Sequence, residues 1–198
     1  MTAGSLKDLF ERKRRALLRR PAFGRTAVEA RARSSENLSC EIEEGAWRTR
    51  FDQPEDEGGP GQAPHPDQMM RASLVAGLAM DYRLWGARLD VPLDQVEVAL
   101  LCEADARGRL GIDGAAVGWK RIVVDVRVTS GAPEADVRRV IETADRLSPL
   151  LANLSPAIER LHRLHIGGTF RSVVVHASGS KADGSQPEAK TNRAEEKP

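Results

Sequence analysis

Two cysteines, Cys40 and Cys102, are the residues of this sequence with the clearest capacity for chemistry. A pair of thiols is enough for a redox enzyme that forms and breaks a disulfide, but too few for a disulfide-rich scaffold or an all-cysteine zinc site. Each cysteine continues the apolar face of a predicted strand, where burial raises the pKa of a thiol and makes it inert. A relocated redox pair would require the two Cα atoms to lie within about 7 Å of each other.

Histidines near the carboxyl end and one serine are the other candidates. His162 and His165 lie three residues apart on a predicted helical turn, and His176 follows on a predicted strand. Zinc sites use such spacing, but no carboxylate can be placed beside these residues. We therefore interpret the histidines as surface or dimer-contact residues and expect no metal. Ser148 points to the core side of a helix with no histidine tied to it, which argues against a Ser-His-Asp nucleophile.

The elements that position these residues follow from the periodicity of apolar side chains, which predicts an α+β fold. The longest predicted helix, 67–89, is apolar on nearly every side, as in a central core helix. Asp67 lies in its first turn, and Gly77 in its middle costs on the order of 1 kcal/mol relative to alanine, so it needs a packing reason. The other predicted elements are a helix over 5–20, strands over 25–33, 37–51, 95–103 and 120–130, a helix opening at Pro133, a short helix after Ser155-Pro156, and a strand over Thr169–His176.

Charge is distributed unevenly along the 198 residues, although the formal net charge is only +1. Residues 1–20 contain seven basic and two acidic side chains, which leaves −4 on the remainder. We interpret the basic segment as a solvated helix face that pairs with acidic groups, and a basic arm for an anionic partner is the alternative. The near-neutral total argues against a nucleic-acid-binding protein as a whole.

The sequence also predicts where the chain divides and where it resides. The longest apolar run, Ala72–Met80, is far too short to span a bilayer, and the amino-terminal residues have no signal pattern, so we expect a cytoplasmic protein without membrane contact. Residues 178–198 contain no large apolar side chain and are expected to be disordered. The predicted division is therefore a basic arm over 1–24, a folded domain over 25–177 and a tail over 178–198.

Three segments, in the same order and with similar spacing, resemble the OsmC/Ohr family, many of whose members reduce organic hydroperoxides. The first is Pro66–Met70 running into Ala72–Met80, which is similar to the family's Pro-Glu-Gln-Leu start and its small-residue central helix. The second is the hairpin-like pair Gly108–Asp113 and Gly118–Ile122, followed by Ser130–Pro133. The third is Ala144–Pro149, which is similar to the family's Ala-x-x-x-Cys-Pro.

The resemblance implies a fold in which antiparallel sheets pack around two central helices in an intertwined homodimer. It also implies two-thiol chemistry, in which one thiolate attacks the peroxide O–O bond, becomes a sulfenic acid and is resolved by a second cysteine. Carried over residue by residue, Asp67 keeps the type of a carboxylate that holds an arginine. The attacking cysteine falls on Gly77 and the resolving cysteine on Ser148, and neither of these residues can perform its step. Arg48 or Arg50 is the candidate arginine.

Our leading hypothesis is therefore a non-peroxidatic family member without a cofactor. We expect a homodimer whose pocket, near Asp67, Gly77, Met80 and Ser148, binds a small apolar ligand or serves as an interaction module. The rival hypothesis is a thiol peroxidase that uses Cys40 or Cys102. A third hypothesis, a regulatory or nucleic-acid-associated protein, depends only on the basic segment over 1–20.

Overall fold

The computed structural model describes residues 3–167. The predicted strand over Thr169–His176 and the predicted tail over 178–198 lie outside the described residues. The helices are α1 (Ala3–Arg19), α2 (Pro66–Arg88), α3 (Ala106–Arg109), α4 (Glu134–Leu147) and α5 (Pro149–Ala152), and the strands are β1 (Arg31–Ser34), β2 (Ser39–Glu44), β3 (Trp47–Asp52), β4 (Gln95–Ala104), β5 (Trp119–Thr129) and β6 (Glu159–Ile166).

The first sheet is an antiparallel meander of β1, β2 and β3. Its cross-strand register gives it two different faces, because side chains alternate along each strand. One face carries the charged rows Arg31–Glu43–Arg48 and Arg33–Glu41–Arg50, and the other carries Ala32–Ile42–Thr49 and Ser34–Cys40–Phe51. Most of these side chains are exposed or only half-buried, so the apolar face of this sheet is largely uncovered within one chain.

The second sheet holds the core of the described residues. Its order is β4-β5-β6, with β4 antiparallel to β5 and β5 parallel to β6. A parallel pair requires a long crossover, and α4 and α5 supply it. Ile122, Val124, Val126 and Val128 of β5 are buried on the side that packs against α2 and α4.

Helix α4 forms where its sequence predicted. Pro133 precedes the first helical residue, where its missing N–H removes no helical hydrogen bond. The stripe at spacings of three and four, Val137, Val140, Ile141 and Ala144, is fully or almost fully buried. These observations confirm the predicted helix and the α+β class.

The predicted short helix after Ser155-Pro156 is wrong, because the structure has strand β6 there. Ser155-Pro156 is a typical helix start, and the spacing of Ile158, Leu161 and Leu164 suits a helix. The pairing of β6 with β5 overrides these local signals, and it turns Leu164 and Ile166, two residues apart, onto the core. Residues of a strand that are two apart share one face.

Helix α2 has the predicted position, but it is not buried on all sides within one chain. Its buried residues, Leu74, Leu78, Tyr82 and Gly86, follow one stripe at intervals of four. Ala72, Ala76 and Met80 lie exposed on another side. None of the helices in the described part of the chain combines the length and hydrophobicity that a membrane span requires.

Candidate functional site

Gly77, at the centre of α2, has a packing reason. A Cβ atom built on Gly77 would lie 2.1 Å from Cδ1 and 3.5 Å from Cγ of Leu150. Real Cβ atoms do not approach another carbon so closely, so the leucine methyl occupies the volume in which a side chain at position 77 would begin. Glycine is therefore the residue that lets α5 pack against α2 at this point, and a larger residue would need Leu150 to move.

Ser148 lies at the junction between α4 and α5 and is only 2% exposed. Its Oγ accepts a hydrogen bond from the N–H of Leu151 at 3.4 Å, which caps α5. The hydroxyl also hydrogen-bonds the carboxylate of Asp81, one helical turn after Gly77. Burial raises the pKa of Asp81, against the charge of Arg88 and the hydrogen bond with Ser148. The serine is thus a buried structural group beside the Gly77 region.

A second polar network surrounds Asp145, and sequence reasoning missed it. The hydroxyl of Tyr82 donates to Asp145 Oδ1 at 2.7 Å, and Nδ1 of His162 lies 2.7 Å from Oδ2. The rings of Tyr82 and His162 stack with centroids 6.5 Å apart. Burial, followed by the negative charge of Asp145, raises the pKa of Tyr82, so this phenol stays protonated as a donor. The signal that could have found this network is a polar pair, Tyr82 and Asp145, on otherwise core-facing helix positions.

An open cleft of about 430 Å³ adjoins both networks. Leu151, Ala152 and Leu161 form its accessible apolar wall, while Arg146, Arg160 and His162 are among its polar lining residues. Since Nδ1 of His162 faces Asp145, Nε2 is the ring nitrogen left for another partner. The cleft therefore offers an apolar surface with one oriented imidazole and two exposed arginines, Arg146 and Arg160.

The predicted helical turn shared by His162 and His165 is wrong, because both residues belong to strand β6. An odd separation on a strand points two side chains to opposite faces. Accordingly, His162 pairs with Asp145 of α4, and Nε2 of His165 lies 3.4 Å from Asp125 of β5. Across residues 3–167, no group of three or more His, Cys, Asp or Glu side chains is placed to hold a metal ion.

The structure does not bring Asp67 to either candidate arginine within one chain. Asp67 is largely exposed in the first turn of α2, and its carboxylate lies 3.9 Å from Nδ1 of His65, which caps the helix by accepting the N–H of Asp67. Arg48 pairs with Glu43 of the first sheet instead. Ten residues of helix also separate Asp67 from Gly77, which is about 15 Å along the axis.

Arg50 is held by a network of its own. Its Nε lies 3.1 Å from Oδ1 of the fully buried Asp52, and its Nη2 donates to Ser39 Oγ at 2.8 Å. Burial acts to raise the pKa of Asp52, but hydrogen bonds from Ser39 and the N–H of Gln62, together with the charge of Arg50, hold it below its usual value. This arginine therefore stabilises a turn of the first sheet.

Sequence comparison assigns the chain to a family. A model of the family described as "OsmC-like protein" matches residues 59–160, which span α2, β4, β5, α4 and α5. This chain belongs to the OsmC-like protein family. None of the curated proteins matches its sequence.

Solved structures of OsmC-like and organic hydroperoxide resistance proteins share the fold at low identity. An OsmC-like protein from Mycoplasma pneumoniae is 12% identical with a TM-score of 0.60, covering 71% of this chain and 97% of that one. The organic hydroperoxide resistance protein OsmC from Legionella pneumophila is 16% identical, with a TM-score of 0.55 and coverage of 71% and 97%. An organic hydroperoxide resistance protein from Elizabethkingia anophelis, with bound thiocyanate, is 14% identical, with a TM-score of 0.56 and coverage of 72% and 98%.

The two cysteines of this OsmC-like chain lie in different sheets. Cys40 lies on β2 of the first sheet, opposite Phe51, and Cys102 lies on β4 of the second sheet, opposite Ile122. Both are free thiols. Burial raises the pKa of Cys102 in spite of the nearby charge of Arg71, which disfavours the reactive thiolate.

Within one chain, the side chain of Met80 is 66% exposed, whereas Ser148 is buried. Gly77 adjoins Leu150, and Ser148 accepts a hydrogen bond from Leu151 of the same short helix, α5. The pocket expected near Asp67, Gly77, Met80 and Ser148 of the homodimer stays a prediction.

Proposed function

We propose that this OsmC-like protein is not a two-thiol peroxidase and that its dimeric scaffold binds a small, largely apolar molecule. The observation that carries the proposal is the packing at Gly77, where the methyl group of Leu150 fills the volume that a side chain would take. Ser148, at the position of the resolving cysteine, is a buried cap and has no thiol. The two positions at which the family resemblance implies cysteines, 77 and 148, are thus occupied by residues that serve packing.

The remaining thiols offer little support for relocated peroxidase chemistry. Attack on an O–O bond needs a thiolate, and burial acts against that form of Cys102. Cys40 and Cys102 lie in separate sheets, so no resolving thiol faces either one across a strand pair. A single sulfenic acid would then depend on an external thiol for its reduction.

The cleft beside Ser148 supports the binding role. An apolar wall of Leu151, Ala152 and Leu161 would bury the body of a small molecule. The Nε2 atom of His162, fixed in orientation through Asp145, provides one hydrogen-bonding group for it. A mostly apolar surface with a few polar groups is the ordinary composition of a small-molecule site.

Two uncovered apolar surfaces support the homodimer. Ala72, Ala76 and Met80 line the exposed side of α2, and small residues there permit another helix to approach closely. The face of the first sheet that carries Ile42 and Phe51 is likewise uncovered within one chain. A second copy would remove both surfaces from water, which is the main favourable term in protein association.

The catalytic part of the proposal is tested by steady-state reduction of cumene hydroperoxide with dithiothreitol. We expect the wild-type rate to equal that of the Cys40→Ser/Cys102→Ser variant and of buffer alone. Turnover that depends on either cysteine would overturn it and favour the relocated thiol peroxidase.

The binding part is tested with cumyl alcohol, which keeps the apolar body of that peroxide and lacks its O–O bond. Isothermal titration should detect binding to the wild type and its loss in Leu151→Trp, which fills the cleft. Leu147→Trp is the matched control, because Leu147 is 53% exposed and does not line the cleft. Equal binding by both variants would remove the cleft as the site.

Sedimentation tests the dimer. Met80→Lys places a charge on the exposed side of α2 and should shift the protein towards monomer, whereas Leu110→Lys, at a position 75% exposed in a connecting loop, should not. A wild type that sediments as a monomer would contradict the dimer.

A further inference from the structure

Helix α1 is attached to the end of α2 by one of its faces. The guanidinium of Arg88 lies 3.2 Å from the ring centroid of Phe10 and 4.4 Å from that of Trp85, and Lys7 forms an ion pair with Asp90. The apolar side of α1 is therefore used for intramolecular packing.

The remaining surface of α1 is strongly basic. Phe10 and Leu17 are half-buried on the attached side, and residues two positions later in a helix lie about 200° further round. Arg12 and Arg19 therefore face away from α2, with Arg15 between them on the same side. Of the other exposed basic residues of this segment, Arg14 lies four positions after Phe10 on the attached side, Lys13 lies on its flank, and Arg20 follows the helix. One acidic side chain, Asp8, shares the outward side one turn before Arg12.

These six cations have no acidic partner within residues 3–167. Their polar contacts are a hydrogen bond from Arg15 to the backbone oxygen of Glu11 and a contact of Arg20 with the ring of Phe23. By contrast, nine arginines elsewhere in residues 3–167 form ion pairs with carboxylates, among them Arg50, Arg109 and Arg138. Residues 168–198 carry five basic and four acidic side chains, so their composition provides no excess of negative charge to neutralise α1.

We infer that the outer face of α1 docks on the phosphate backbone of a nucleic-acid duplex. Arg12 and Arg19 are about 10 Å apart along the helix axis, and 10 Å of duplex carries about six phosphate charges. A duplex therefore offers a phosphate to each of the three outward arginines, which favours a polyanion with closely spaced charges. The contact would be independent of sequence, because arginine–phosphate pairs position a protein without reading bases.

A lipid surface fits α1 less well. A helix that binds at a membrane inserts a continuous apolar face, and that face of α1 is attached to α2. The exposed leucines, Leu9 at 49% and Leu18 at 65%, lie nine residues apart and therefore on opposite flanks of the helix. They form no common apolar surface beside the arginines.

The test is fluorescence anisotropy with a labelled 20-base-pair DNA duplex of arbitrary sequence, titrated with full-length protein between 50 and 200 mM KCl. The test variant is Arg12→Gln/Arg15→Gln/Arg19→Gln, because glutamine preserves helix propensity. The control variant, Arg31→Gln/Arg138→Gln/Arg139→Gln, removes the same total charge from exposed arginines that are in ion pairs. Circular dichroism checks that both variants fold.

We expect the wild type and the control to bind with a steep salt dependence. The slope of log K against log[KCl] should fall in magnitude by about 2.7 in the α1 variant, or about 0.9 for each lost phosphate contact. Absence of salt-dependent binding by the wild type, or an equal loss in both variants, would overturn the inference. If sedimentation shows that the α1 variant loses the dimer, the arginines serve an acidic surface of the second copy, and the inference also fails.

Discussion

The contact between Gly77 and Leu150 makes a quantitative prediction about stability. In a helix interior, Gly77→Ala should by itself stabilise the protein by about 1 kcal/mol. The new methyl group would begin 2.1 Å from Cδ1 of Leu150, and overpacking of this kind costs about 1–3 kcal/mol. We therefore expect the free energy of unfolding to fall by about 0–2 kcal/mol, opposite in sign to the effect of helix propensity alone.

Truncation of the leucine should reverse this result. Leu150 is half-buried, so Leu150→Ala alone should cost about 1–2 kcal/mol, less than the 2–5 kcal/mol of a fully buried leucine. In the double variant the clash is gone and the alanine at position 77 partly fills the vacated volume. The double variant should thus be more stable than the sum of the single effects by about 1–3 kcal/mol.

Urea unfolding of the four proteins at 25 °C measures this coupling as a double-mutant cycle. Gly86→Ala is the matched control on the same helix, because its Cβ would lie 2.9 Å from the backbone oxygen of Val91, which cannot move aside cheaply. Leu150→Ala should not rescue that variant. Additivity of Gly77→Ala and Leu150→Ala within about 0.5 kcal/mol would refute the packing account of Gly77.

Three further predictions concern two polar groups and the two positions at which the family resemblance implies cysteines. Asp52→Asn should lower the free energy of unfolding at pH 7, measured by chemical unfolding. Because the pKa of Asp52 is held below 3.8 in the folded state, the wild type loses this contribution as the pH falls below 3.8, and the variant, which lacks it, should lose less stability there. An unchanged pH profile would contradict this. Tyr82→Phe should reduce the free energy of unfolding by about 1–3 kcal/mol, since it removes a hydrogen bond to a partly buried carboxylate, and an effect near zero would show that water replaces the hydroxyl. Gly77→Cys/Ser148→Cys, with the leucine at position 150 truncated to alanine, should form a disulfide on oxidation, and mass spectrometry that finds only free thiols would show that the two positions do not face each other.

Local sequence signals were sufficient for the elements that build most of the core. The predicted helix over 67–89 and the strands over 95–103 and 120–130 agree with α2, β4 and β5 within one residue at nearly every end. Their signals are strong because apolar periodicity continues for two turns or more, or over several alternations. The α4 stripe is predictable for the same reason.

The features that the sequence did not predict depend on contacts between residues that are distant along the chain. Strand β6 contains residues with weak strand preference, and only its pairing with β5 makes it a strand. Likewise, Leu150 lies far from Gly77 along the chain, so no local pattern identifies it as the side chain that fills the site. The pairing of His162 with Asp145 depends on that same strand, and the wrong helix concealed it.

The central claim is that this OsmC-like protein does not perform two-thiol peroxidase chemistry. The most direct measurement is the rate of cumene hydroperoxide reduction with dithiothreitol, together with mass spectrometry of Cys40 and Cys102 after exposure to the peroxide. The account predicts a background rate and no sulfenic acid or disulfide at either cysteine. Turnover that disappears when one of these cysteines is replaced by serine, with oxidation mapped to that residue, would contradict it.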